Sequence, residues 1–217
     1  RSFDLNRNGQ LVYDQLHYGN PFNQWADIAY TADPTTPATL ISSEQRALYP
    51  VISPDGGMVA FVQNAGMASQ LRLLMRRERT MVDLSALTEN IRFGRLAWAP
   101  DGQWLAAEAW YEGGAQNIVL ISVSGNFHKL YSDTSMATEA APVFDSLGEF
   151  IYFHGDNGGT PQIYRYHRSQ RTIEQLTFAS GGALYPALSP DGTELYYLTV
   201  GPQGFDIARQ NLADIKP

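Results

Sequence analysis

The sequence predicts an all-β propeller of about five four-stranded blades, the last lacking its outer strand. Three observations carry this. A Ser-Pro-Asp-Gly turn between apolar strands is written repeatedly along the 217 residues. Its glycine keeps a fixed period. A polar residue followed by Ile or Leu recurs on the same beat.

The turn is clearest at Ser189-Pro190-Asp191-Gly192, between Leu184-Tyr185-Pro186 and Leu195-Tyr196-Tyr197-Leu198. Pro presets φ, Asp suits the third position and Gly takes the left-handed place. The result is a three-residue hairpin loop with a glycine bulge. Further copies stand at Ser53-Pro54-Asp55-Gly56 and Ala99-Pro100-Asp101-Gly102, with looser ones at Asp145-Ser146-Leu147-Gly148 and Asn6-Arg7-Asn8-Gly9. Gly9, Gly56, Gly102, Gly148 and Gly192 are 47, 46, 46 and 44 residues apart. A period in the forties belongs to a propeller blade or a helical repeat, and strand patterns with glycine turns choose the propeller. A looser turn is expected where Ser146-Leu147 replaces Pro-Asp.

The second marker is Asp27-Ile28, Gln70-Leu71, Asn117-Ile118, Gln162-Ile163 and Asp206-Ile207. A third closes the units at Leu87-Thr88 and Leu176-Thr177, more loosely at Leu40-Ile41 and Leu130-Tyr131. The chain reads as one domain with blades at about 1–46, 47–91, 92–136, 137–181 and 182–217. Ile163 precedes Leu176 by 13 residues, and the same offset from Ile207 runs past Pro217. The outer strand of blade five is therefore expected to be absent. Two arrangements fit: a piece of a larger six- to eight-bladed propeller, or five blades with one open edge that invites association.

Tyr-Pro, Pro-Asp-Gly, an apolar strand, polar-Ile and Leu-Thr together resemble the WD40-like repeat of TolB-type propellers. That repeat also occurs in the propeller domains of prolyl-oligopeptidase-like peptidases and in tricorn-like proteins. The resemblance spans nearly the whole chain and speaks for the fold rather than the function. It implies a periplasmic or secreted bacterial protein, although no signal-like segment is present.

Composition narrows the partners. A net charge of −7, with no basic run beyond Arg76-Arg77, argues against nucleic acid. No apolar run is long enough to span a bilayer. With no cysteine, disulfides, zinc–cysteine sites and cysteine nucleophiles are excluded. Asp4, Asn6, Asn8 and Gly9 imitate the opening of a calcium loop, but Gln15 stands where a bidentate Glu is needed, so no metal is expected there. His17, His128, His154 and His167 lack ligand spacing, and no nucleophile elbow is present. No cofactor is expected. Arg72, Arg76, Arg77 and Arg79 read as an outer, solvated face, and Trp98 and Trp104 as blade packing.

The resemblance implies that the loops joining blades and those joining second to third strands share one face around the channel mouth. The candidates there are Arg46, Tyr49, Arg92, Arg95, Trp110, Tyr111, His154, Asp156 and Tyr185. The loops His17 to Gln24, Trp110 to Ala115 and His154 to Pro161 differ from blade to blade, as recognition loops on a repeat scaffold do. Tyr49 and Tyr185 also repeat with the blade, so structural packing is an equal reading of both. The expected function is non-catalytic recognition of a protein or peptide by a few aromatic and Arg anchors. Two rivals are the gating propeller of a prolyl-oligopeptidase-like peptidase and a propeller enzyme acting on a polysaccharide. On the binding reading, the purified chain turns over no ester, peptide or glycan substrate. Turnover abolished by a point mutation within the chain would reverse that expectation.

Overall fold

The computed structural model describes residues 2–20, 23–86, 89–130 and 137–215. Among the described residues, nineteen strands form five antiparallel sheets in chain order. Blade one holds β1 (Phe3–Leu5), β2 (Leu11–Asn20), β3 (Asn23–Thr31) and β4 (Thr39–Leu40). Blade two holds β5 (Ala47–Ile52), β6 (Met58–Ala65), β7 (Ala68–Met75) and β8 (Thr80–Asp83). Blade three holds β9 (Ile91–Trp98), β10 (Trp104–Tyr111), β11 (Gln116–Ser122) and β12 (Phe127–Lys129). Blade four holds β13 (Glu139–Phe144), β14 (Phe150–Gly155), β15 (Gln162–His167) and β16 (Thr172–Gln175). Blade five has three strands, β17 (Ala183–Leu188), β18 (Glu194–Gly201) and β19 (Gly204–Asn211), followed by a 3-10 turn at Leu212–Asp214.

The apolar cores lie between blades. One cluster joins Val12 and Ile28 of blade one to Ala47 and Phe61 of blade two. Others join Leu71 to Leu105, Ile118 to Phe153, and Ile163 to Leu195 across the next three junctions. The Ile or Leu of the repeated polar-Ile marker is thus buried in four blades: Ile28, Leu71, Ile118 and Ile163 are at most 1% exposed. Ile207, at the same repeat position on β19, is 76% exposed.

That marker is also a hydrogen-bonding device. The carbonyl of Ile28 accepts from the N–H of Ile41 (2.8 Å), and the N–H of Ile28 donates to Ser42 Oγ (2.8 Å). Leu71 does the same with Leu84 N and Ser85 Oγ (both 2.9 Å), and Ile163 with Leu176 N and Thr177 Oγ1 (both 2.8 Å). The closing pairs are therefore Ile41-Ser42, Leu84-Ser85 and Leu176-Thr177. Leu40-Ile41 is displaced by one residue, because the hydroxyl must stand fourteen positions after the Ile or Leu it ties. Leu87-Thr88 and Tyr131 lie outside the described residues.

Each turn does more than reverse the chain. The five turn glycines have φ between 66° and 75°, as the left-handed bulge requires. Gly56, Gly102 and Gly192 donate to the carbonyl three residues back at 2.9 Å, and Gly148 does so at 3.2 Å. The fourth turn keeps its geometry without Pro-Asp because Asp145 accepts from the N–H of Phe150 (3.0 Å). Neighbouring turns interlock. A Cβ on Gly102 would approach Pro54 Cδ to 3.9 Å, and one on Gly148 would approach Pro100 Cδ to 3.2 Å. Arg76 donates to the Gly56 carbonyl and lies 3.5 Å over the Tyr30 ring, so it braces blades one and two rather than a solvated face. Arg168 repeats that bond to Gly148 (2.7 Å). Trp98 packs as expected, its Nε1–H donating to the Val51 carbonyl of the preceding blade (3.0 Å).

One expected loop is not one. From His17 to Gln24 the hairpin continues, pairing His17 with Trp25 and Tyr18 with Gln24. Aromatic residues favour the extended, half-buried surface and carry both strands outward. Positions 21 and 22 lie outside the described residues.

Gly102→Val is expected to destabilise the fold by about 1–2 kcal/mol, since a β-branched residue is strained at positive φ while the space itself is open. Urea unfolding of the two proteins measures it, and an unchanged midpoint would reject the bulge as a determinant of stability.

Candidate functional site

The inner strands are bulged on the side away from the turns. Two residues of β5, Tyr49 and Pro50, face one on β6, and Ala141-Pro142 and Tyr185-Pro186 repeat the irregularity in blades four and five. The first residue of each bulge is left-handed: φ is 53° at Tyr49, 55° at Ala141 and 53° at Tyr185. A bulge re-aims its side chains. The repeated Tyr-Pro is therefore a conformational device. Tyr49 lines two neighbouring cavities, and Tyr185 stands against Arg95 and His154. In blade three the bulge falls at Gly94-Arg95, where any Cβ on Gly94 would collide with Glu108 Oε2.

Glu108 holds two of these bulges together. Its Oε2 accepts from the N–H of Arg95 (3.0 Å) and its Oε1 from the N–H of Ala141 (2.8 Å). Asp27, 1% exposed, acts similarly two junctions earlier, accepting from Ser42 Oγ (3.0 Å), Glu44 N (3.0 Å) and Gln45 N (3.2 Å).

The candidates divide into several settings. Arg92 and Trp110 are cross-strand partners, and with Tyr49 and Glu108 they line a pocket of about 240 Å³ between blades two and three. Trp110 is 55% exposed. Tyr111, next along the strand, points the other way and packs against the core between blades two and three. Arg95 and Tyr49 line a larger cavity of about 570 Å³ with Ser2, Phe3, Val51 and Leu96. Arg95 lies 4.7 Å over the ring of Tyr185, which stands edge-on to the His154 ring at 5.2 Å. Arg46 lies apart from these, 4.9 Å over Trp25. Asp156 is spent locally, its Oδ1 accepting from the N–H of Thr138 (2.6 Å).

His154 was expected in a loop and is instead the buried penultimate residue of β14. Its Nδ1 accepts from the N–H of Tyr185 (3.4 Å), which requires that nitrogen to be unprotonated. Burial, then the charge of Arg95, pushes the imidazole down to about 4, with Asp156 pulling the other way. One carboxylate oxygen of Asp4 accepts from the N–H of Ile52 (2.9 Å), which ties blade one to blade two.

Sequence reasoning passed over Glu108 and Glu139, each a lone carboxylate within an apolar strand. That isolation is the signal that could have found them. Glu139 is 2% exposed, and its Oε2 accepts from the N–H of Ile118 (3.1 Å), in place of the hydroxyl used in other blades. Its Oε1 is buried without a partner. Burial raises this carboxyl to about 7, against the pull of the Ile118 bond. Among the described residues, no three His, Asp or Glu side chains converge as a metal site would.

Glu139 and His154 impose opposite pH dependences. Neutral His154 contributes stability that is full above 6.5 and is lost as pH falls toward 4. Protonated Glu139 contributes stability that is full below 4.5 and is lost as pH rises through 7. Between 4.5 and 6.5 the slopes oppose. Glu139→Gln is expected to unmask a loss on acidification, and His154→Gln a loss toward neutrality, each about 1 kcal/mol per pH unit at most. Denaturant titrations at four pH values measure both; parallel profiles for the two variants would contradict the assignment.

Comparison with known proteins follows the geometry. The chain matches the family described as TolB beta propeller domain over residues 23–216. An uncharacterized protein of Agrobacterium fabrum is 22% identical over 216 residues, which is 94% of this chain and 64% of that relative. TolB from Acinetobacter baumannii superposes with a TM-score of 0.75 at 20% identity, covering 95% of this chain and 51% of that one. An oligogalacturonate lyase from Vibrio parahaemolyticus gives 0.72 at 12%, covering 98% and 65%. Peptidases are also among the similar structures. At these identities the likeness is one of fold, and the chain spans less than two thirds of these three relatives.

Proposed function

Because the chain belongs to the TolB β-propeller domain family, we propose that it is a binding scaffold recognising a protein or peptide partner through the loop side of its channel. TolB-like propellers mediate protein interactions. The observation that carries this reading is the exposed Trp110, standing beside Tyr49 and Arg92 around a recess. Trp, Tyr and Arg are the residues that dominate binding energy at interfaces, and here all three converge on a rigid strand framework. The turn side offers the same Pro-Asp-Gly turn in three of the five blades, much of it spent on neighbour contacts. The loop side differs blade by blade.

The chain carries no nucleophile elbow, and Glu108 and Asp27 are engaged by backbone N–H donors. Both facts support binding rather than chemistry. On β19, Phe205 and Ile207 are exposed. The TolB-like family is periplasmic, and we assign this chain the same compartment. Among the described residues no helix is long and apolar enough to cross a membrane.

Panning a random peptide library against the purified protein tests the proposal. Peptides that enrich should lose about tenfold or more in affinity on Trp110→Ala, with little change in melting temperature. Enriched peptides that bind Trp110→Ala unchanged would move the site elsewhere.

A further inference from the structure

The loop-side cavity has a counterpart at the turn side. That second cavity, of about 430 Å³, is lined by the ends of all five inner strands. The two share Val51 and Leu96 as wall, so together they form one channel with an apolar waist. Its ends differ in charge. The turn side carries Asp4, Asp145 and Arg7, whereas on the loop side Arg95 is the sole charged residue among the described lining residues.

Arg95 is exposed, and its guanidinium makes no ion pair among the described residues. It is nonetheless held in place. Its guanidinium carbon lies 4.7 Å over the Tyr185 ring, and Tyr185 is held by its bulge and by its bond to His154. Stacking occupies the face of a guanidinium and leaves its N–H edge for a ligand. The nearby carboxylate of Glu108 is engaged by the backbone N–H groups of Arg95 and Ala141. The result is a positioned, unpaired cation at the mouth of a channel in a protein of net charge −7.

We propose that the loop-side mouth takes a carboxylate, the carboxy-terminal or acidic end of a peptide, and that Arg95 selects it; this deepens, and rests on, the reading of that mouth as a peptide site. The N–H fork of Arg95 meets both carboxylate oxygens. The residue behind the carboxylate reaches the apolar waist at Val51 and Leu96, and Tyr49 flanks the entry. A carboxamide in the same place offers one acceptor oxygen and no charge.

The test uses one random octapeptide library made twice, as free acids and as amides, with Asp and Glu present in both. Binding is read by fluorescence polarisation against the unmodified protein, Arg95→Gln and Arg95→Lys. The expected result is a preference of about tenfold or more for carboxylate-bearing peptides, erased in Arg95→Gln and reduced in Arg95→Lys. A preference for free acids over amides would assign the chain terminus. A preference for Asp or Glu within the amides would assign the side chains. Circular dichroism melting verifies that the variants fold, and Lys serves should Gln fail. Peptides that bind as acids and amides alike, or whose acid preference survives in Arg95→Gln, would overturn this inference and leave the peptide site standing. Failure of both libraries to bind would overturn the peptide site and this inference together.

Discussion

Burial of one aliphatic residue per blade is the constraint on which the rest depends. Ile28, Leu71, Ile118 and Ile163 each sit between their own sheet and the next, with almost no exposure. Each such burial is worth about 1.5–3 kcal/mol. It also removes a backbone N–H and C=O from water, which must then be satisfied. The structure supplies a side-chain oxygen for the first and an incoming N–H for the second. Both come from the segment leading to the next blade. The same few atoms therefore fill the junction and fix where the following inner strand begins.

Much of this could be read from the residues. The turn glycines are obligatory at positive φ, so their period exposes the blade count. The polar-Ile pair marks the third strand because its Ile or Leu is buried against the next blade while its backbone is tied to the blade-closing segment. The blade-closing residues were harder, since a hydroxyl after any small apolar residue suffices, and Ser85 after Leu84 looks like ordinary loop text. The hairpin through His17 misled because Gly19 and Pro21 punctuate it, while Tyr18 and Trp25 keep the strands extended. At the candidate site, Trp110 and Arg92 stood out by type. His154, Glu108 and Glu139 could not be placed, because their roles come from contacts across blades. Arg95 meets Tyr185 over blade four, a distance of ninety residues in the chain.

The two faces of the array carry different obligations. On the turn side, Pro54 and Pro100 stand against the turn glycine of the following blade and Arg76 and Arg168 hold the turn carbonyl of their own blade, so the text there must repeat. On the loop side the bulges do the tying through the backbone: Glu108 bonds amides rather than side chains. Side chains emerging from the bulges are consequently free to vary, as Tyr49, Arg95, Ala141 and Tyr185 do. Recognition chemistry collects where the scaffold leaves residue identity open.

The ties between blades also have a kinetic meaning. In blades one, two and four the bonds that close the blade link residues only thirteen or fourteen positions apart, and the hairpins around them are equally local. Loop closure over such distances costs little entropy. The array is thus suited to grow by accretion: a blade that has formed its Ile-to-hydroxyl bond presents a ready template for the next inner strand, and nucleation can begin at any of them. During synthesis on the ribosome, each blade could settle onto its predecessor as soon as its inner strand emerges, without waiting for distant sequence.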